Sequence, residues 1–158
     1  MSAAIKMITV WLLIGTLVFI GWQWYARNEK AKAYSVVTTA GQTEITVRRS
    51  RLGHFYLRGS INGEQYDLLV DTGATLTTIP KSLAKRTNVV VTDMQSFNTA
   101  NGKVLAQIGT VTIELNGMRI EQHPVAIIDT PDEQPLLGMD ILKRMKITQG
   151  DGVMTFKF

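Results

Sequence analysis

The chain has 158 residues, 45% of them hydrophobic and 19% charged, with 17 Lys+Arg against 13 Asp+Glu. At ~100–200 residues per domain this length holds one globular unit, which excludes a two-domain enzyme, an eight-unit βα barrel or a long repeat array. The absence of cysteine removes disulfides, thiolate metal sites and a cysteine nucleophile, and a formal charge of +4 on scattered basic residues leaves no nucleic-acid footprint.

The first predicted element is apolar. From Met7 to Ala26 no side chain is charged, and about 20 helical residues rise ~30 Å, the thickness of a bilayer hydrocarbon core. All three tryptophans (Trp11, Trp22, Trp24) fall within it, and Trp22, Trp24 and Tyr25 gather at its far end, where aromatic rings favour the headgroup level. Residues 1–26 are therefore predicted to be an N-terminal transmembrane anchor. The alternative is a cleaved signal peptide, but the apolar run exceeds a typical core of ~7–15 residues and the exit Trp24-Tyr25-Ala26 lacks a small–x–small cleavage pattern. Lys6 precedes the span, and Arg27, Lys30 and Lys32 follow it with Glu29 among them. This bias is too small to fix orientation.

Residues 27–45 are small and polar without sustained periodicity and predict a linker; residues 46–158 form the folded domain. His54–Ile61 alternates in polarity, Asn62-Gly63 is a hairpin turn, and Glu64–Val70 returns as a strand. Val89–Thr92 is β-branched. Asn101-Gly102 predicts a second turn, followed by a strand over Val104–Leu115, and Asn116-Gly117 a third, followed by Met118–Ile120 and Val125–Ile128. Pro131 and Pro135 bracket a loop. Asp140–Met145 is the one segment that invites a helix, with Asp140 placed to cap it. Val153–Phe158 closes as a strand. The domain is predicted to be all-β.

One constellation carries chemistry. Asp71-Thr72-Gly73-Ala74 follows the apolar Leu68-Leu69-Val70. A carboxylate at the end of a buried strand is costly unless it is paired, hydrogen-bonded or catalytic, and glycine lets the chain turn there and bring backbone N–H groups toward it. The bland alternative is a turn Asp bonded to its own backbone, and Asp-Thr-Gly alone arises by chance in many chains.

The second motif is Pro135-Leu136-Leu137-Gly138-Met139-Asp140. Together, in order, the hairpin at Asn62-Gly63, Leu69-Val70-Asp71-Thr72-Gly73-Ala74, the turn around Thr99–Lys103, Leu136-Leu137-Gly138, the short helix and the terminal strand resemble the retropepsin-like (retroviral-type) aspartic proteases over about 105 residues. The N-terminal span makes the chain look more like bacterial membrane-anchored members of that clan. The resemblance implies an acid-protease β-barrel with one short C-terminal helix. It further implies Asp71 as the catalytic acid/base, with Thr72, Gly73 and Ala74 in the active-site loop. Thr72 would link the two loops across a dimer. Asn98, Thr99, Ala100, Asn101, Gly102 and Lys103 would form a flap over a peptide or protein substrate, and Leu136, Leu137 and Gly138 the hydrophobic–Gly motif. No metal and no cofactor are expected. The expected location is the bacterial inner membrane, as a single-pass protein with its protease domain in the periplasm.

Peptide hydrolysis without a metal or a nucleophile needs one group to take a proton from water and another to give one to the carbonyl oxygen. Two carboxylates sharing a proton do both. The chain holds one Asp-Thr-Gly; Asp129-Thr130-Pro131 puts proline where that turn needs glycine. The dyad is therefore expected across a homodimer, and the family resemblance implies that Val153–Phe158 pairs across it.

The remaining candidates read as structural. His54 and His123 are distant in sequence, Ser60, Ser82 and Ser96 lack a nucleophile-elbow context, and Arg48-Arg49-Ser50-Arg51 reads as a solvated edge. Lys143, Arg144 and Lys146 suit the C-terminal end of a short helix. From another class, the rival reading is a catalytically silent module of the same fold, binding or scaffolding at the membrane.

Overall fold

The uncharged N-terminal run forms one helix, α1 (Ala3–Lys32). The computed structural model describes the backbone of residues 3–32, 34–39, 42–99, 102–131 and 133–157, and the side chains of 7–22, 44–97, 102–103, 105–131 and 133–157. The chain divides into two units, Met1–Ser35 and Val36–Phe158. In the first, large apolar side chains from Met7 to Trp22 are exposed all round the helix, between 44% at Ile14 and 70% at Trp22. Among the described residues no helix is long and apolar enough to cross a membrane. The predicted anchor runs on through Gln23–Ala26, whose side chains lie outside the described residues.

Residues predicted as an irregular linker are instead largely regular. α1 continues to Lys32, and β1 (Tyr34–Thr39) and β2 (Gln42–Arg48) follow. In β2, Ile45 and Val47 bury completely or nearly so while Glu44, Thr46 and Arg48 do not, which is the alternation of a half-buried strand. On the edge away from β1 its partner lies at the other end of the chain, in β11 (Val153–Lys157), so nothing local announces that pairing.

The hairpins at Asn62-Gly63 and Asn116-Gly117 form as predicted. β3 (Tyr56–Ile61) and β4 (Glu64–Val70) meet at Asn62 and Gly63, with φ of 49° and 89°, the double left-handed geometry of a two-residue turn that matches strand twist. β5 (Thr78–Pro80) leads into α2 (Lys81–Arg86), a helix that the sequence reading missed. Six residues carry too little periodicity to show one; only Leu83 and Ala84 bury, and Asn88 ends the turn at φ 52°. β6 (Val91–Thr99) and β7 (Gly102–Leu115) pair as far as Thr99 and Gly102. Ala100 and Asn101 at their tip lie outside the described residues. β8 (Met118–Ile128) runs unbroken where two short strands were expected. β9 (Leu136–Leu137), α3 (Met139–Leu142), β10 (Lys146–Gly150) and β11 complete the chain. Among the described residues the domain is all-β with two short helices, α2 and α3, rather than one. Gly138, not Asp140, is the N-cap of α3.

Seven strands order as β3-β4-β9-β5-β8-β7-β6, and β3 also pairs with β7 through Ser60–Glu114 and Ile61–Ile113, closing the sheet into a barrel. Leu57, Leu68, Ile79, Ile113, Leu137 and Ile141 fill it without exposure, each worth ~1.5–3 kcal/mol relative to an exposed side chain. A second sheet orders as β1-β2-β11-β10. The terminal strand β11 is thus paired on both edges within its own chain, to β2 and to β10. A strand with both edges engaged has no free N–H and C=O row for a partner, which corrects the expectation that it pairs across a dimer.

Candidate active site

Asp71 stands directly after β4, and its loop is shaped by sheet order. β9 inserts between β4 and β5, parallel to the first and antiparallel to the second. Residues 71–77, which connect β4 to β5, must therefore arch past the end of β9. The Asp71 N–H donates to Leu137 O at 3.0 Å, the Met139 N–H to Ala74 O at 2.8 Å, and the Asp140 N–H to Thr75 O at 3.2 Å. Gly138 makes the approach possible, because a Cβ there would stand 2.7 Å from the Leu76 carbonyl carbon and 2.8 Å from Thr77 N. The predicted Leu136-Leu137-Gly138 motif is thus brought against the Asp71 loop.

Within the loop the Gly73 N–H donates to Asp71 Oδ1 at 2.8 Å, and the Ala74 N–H donates to Asp71 O at 3.3 Å. The first fixes the carboxylate orientation by a charge-assisted bond. Asp71 is half-buried, while Thr72 and Gly73 are exposed. An oriented carboxylate beside two exposed loop residues suits contact with a second molecule. The alternative half-site is elsewhere engaged: the exposed Asp129 carboxylate pairs with Lys81 at 3.5 Å.

The hairpin expected to be a flap is β6–β7. In it Asn98 pairs with Lys103 and Thr99 with Gly102. Just below its tip, half-buried Phe97 packs against the cluster of Ala106, Ile108 and Ala126, as do Leu76, which follows the active-site loop, and Ile128 of β8. The hairpin that carries the predicted flap and the arm that follows the predicted loop therefore share one apolar cluster.

Sequence reasoning missed the polar support of this loop. Thr77 and His123 are buried, and Asp140, read as a cap, points elsewhere. The Thr77 N–H lies 3.0 Å from both Asp140 carboxylate oxygens, the Thr77 hydroxyl donates to Oδ1 at 2.9 Å, and His123 Nε2 lies 2.7 Å from Oδ2. An ionised carboxylate only accepts, so His123 donates from Nε2. Burial pushes the Asp140 carboxyl up, but the hydrogen bonds from His123 and Thr77 outweigh it and leave the group below the usual carboxylate value. The chain signal for His123 is a broken alternation: Ile120 and His123 both bury, with Glu121 and Gln122 exposed between them. That extra residue is a β-bulge, with Gln122 at φ 48° and a register shift between Val111 and Ile113 of β7.

Other candidates stay apart from the loop. His54 is exposed, with its backbone N–H on Ser50 Oγ. The Ser60 hydroxyl donates to Glu114, and Arg49 lies over the Phe55 ring. Among the described residues no three His, Cys, Asp or Glu side chains gather in a metal-holding group.

Known proteins resemble this chain in sequence and fold. Residues 57–144 match the model of the gag-polyprotein putative aspartyl protease family, and the chain belongs to that family. It is 30% identical over 100 residues to DNA damage-inducible protein 1 of Kluyveromyces lactis, covering 60% of this chain and 24% of that protein. Over 110 residues it is 30% identical to an uncharacterized protein of Rickettsia prowazekii, covering 65% of this chain and 46% of the relative. The alignments thus span less than half the length of either relative. The crystal structure of a retropepsin-like aspartic protease from Rickettsia conorii superposes with a TM-score of 0.62 at 25% identity, over 79% of this chain and 95% of that one. The barrel is accordingly a retropepsin-like fold.

Proposed function

We propose that the protein is a membrane-anchored aspartic endopeptidase whose working site forms from two copies of the chain. The observation that carries this reading is the Asp71 loop: one oriented, part-exposed carboxylate per chain. It sits in a family of aspartyl proteases. Two such carboxylates facing each other hold one proton between them, because adjacent like charges resist joint ionisation. The ionised member takes a proton from the attacking water; the protonated member gives one to the scissile carbonyl oxygen, and the pair emerges with the proton exchanged. Asp129 cannot supply the second half, having Pro131 where the loop needs glycine. The β6–β7 hairpin would close over an extended peptide.

Anchoring rests on the uncharged run Met7–Ala26 and on a helix whose apolar side chains are exposed all round, a pattern that belongs in lipid or in a protein core rather than at a water interface. We place the protease domain in the bacterial periplasm by resemblance to anchored members of the clan. The test is hydrolysis of an unfolded protein by the full-length chain in detergent, with and without a statine-type inhibitor. Inhibitor-sensitive cleavage supports the reading; a folded protein without cleavage favours the silent scaffold.

A further inference from the structure

His123 and Asp140 form a hydrogen-bonded pair in which both side chains are largely removed from water, at 5% and 14% exposure. The six other acid–base side-chain pairs described within the domain are all far more exposed. Neither residue touches a reacting atom in the mechanism above, so their burial needs another reason. A buried charge is tolerated only when paired and fully hydrogen-bonded, and here every bond leads toward one place. Asp140 grips the Asp71 loop twice: its own N–H donates to Thr75 O, and its carboxylate receives both the N–H and the hydroxyl of Thr77. These contacts hold the two neighbours of Leu76, which packs against the cluster of Ala106, Ile108 and Ala126, as Phe97 of the β6–β7 hairpin also does.

The remaining contacts anchor the grip on both sides. The Thr77 hydroxyl accepts from the Gly138 N–H at 3.1 Å, and Thr77 O accepts from the Ala126 N–H at 2.9 Å. His123 reaches Asp140 because the bulge at Gln122 shifts the inward phase of β8 by one residue; unbulged alternation from Ile120 would turn residue 122 inward instead. A left-handed φ at a residue other than glycine, spent on aiming one imidazole, is the kind of local irregularity found beside working sites.

We propose that His123, Asp140 and Thr77 are positioning residues that lock the far arm of the Asp71 loop, and through it the angle at which Asp71 meets its counterpart on the second chain. The inference rests on the proposed protease reading for its catalytic consequence but not for its mechanical one. In such a site small displacements of the reacting groups cost rate rather than substrate affinity.

The test uses full-length Thr77→Val, Thr77→Ser and His123→Leu proteins, with two readouts. The first is amide hydrogen exchange. Valine keeps the shape of threonine but removes the hydroxyl, so peptides covering 71–77 should exchange about tenfold faster or more, while β3 and β7 peptides stay as in the wild type. Serine, which keeps the hydroxyl, should leave the loop protected. His123→Leu should mimic valine at residue 77. The second readout is peptide hydrolysis. Thr77→Val should lower kcat by about tenfold or more, with KM changed by less than about threefold, and Thr77→Ser should recover most of the rate. Faster exchange throughout the barrel would mean a merely structural network and overturn the proposal. So would unchanged loop exchange, or a faster loop with undiminished kcat. If His123→Leu fails to fold, the valine–serine pair decides. If the wild type proves inactive, the protease reading fails and loop exchange still decides whether the network locks the loop.

Discussion

Gly138 lies so close to Leu76 that a Cβ on the glycine would stand 2.7 Å from the Leu76 carbonyl carbon and 2.9 Å from Asp140 Oδ1. Backbone cannot yield as a flexible side chain does, so Gly138→Ala must push the Asp71 loop away from α3. Overpacking of this kind costs roughly 1–3 kcal/mol, and here it also displaces the hydrogen bonds to Ala74 O and Thr75 O. We expect a lower melting temperature together with a loss of hydrolysis larger than the stability loss explains. Equal kcat per folded molecule in Gly138→Ala would argue that the close approach does not shape the site.

The pH dependence of stability follows from Asp140. Its carboxyl is held below the ordinary carboxylate value by His123 and Thr77 despite burial. A depressed folded value contributes stability above the unfolded value, ~3.9, and that contribution fades as pH falls through the folded value. Asp140→Asn lacks this titration. The gap in melting temperature between wild type and Asp140→Asn should be steady above about pH 5 and narrow below about pH 4. A gap that widens in acid would contradict the assignment of the charge.

Removal of residues 153–158 should unfold the second sheet rather than merely separate two chains. β11 lies between β2 and β10, and Phe156 is fully buried. Phe156→Ala alone should cost roughly 3–5 kcal/mol. Circular dichroism during chemical denaturation would report both, and a truncated chain with wild-type stability would show the sheet to be dispensable.

The N-terminal helix makes a separate prediction. If residues 7–26 are embedded in lipid, the full-length protein stays with membranes during alkaline carbonate washing, and replacing Leu13 and Leu17 by Lys releases it. Each central lysine costs about 2.5–3.5 kcal/mol on insertion scales. Recovery of the wild-type protein in the carbonate supernatant would rule out an embedded anchor.

Local chemistry was legible in the sequence wherever the determinant is local. Asn62-Gly63 and Asn116-Gly117 announce their hairpins because few residues accept a left-handed φ at two successive positions. Asp71-Thr72-Gly73 and Leu136-Leu137-Gly138 stand out because glycine is needed beside a carboxylate and against a backbone. The partnership of β2 with β11 was not legible, since it joins opposite ends of the chain. Nor was the role of Asp140: its position suggests a helix cap, and only the fold brings Thr77 and His123 to it. The bulge at Gln122 was written in the spacing of Ile120, His123 and Val125, but it reads as two strands until β7 is laid beside it.

The central claim is that catalysis needs Asp71 from two chains, and mixing tests it most directly. Wild-type and Asp71→Asn proteins are combined at fixed total concentration, allowed to exchange subunits, and assayed for peptide hydrolysis. Asparagine is nearly isosteric but cannot exchange the proton, so mixed pairs should be inactive. An equal mixture should run at about a quarter of the all-wild-type rate, because only about one pair in four then holds two carboxylates. A rate of about half, the value for chains acting singly, would contradict the shared site, and wild-type hydrolysis by Asp71→Asn alone would contradict the aspartic mechanism itself.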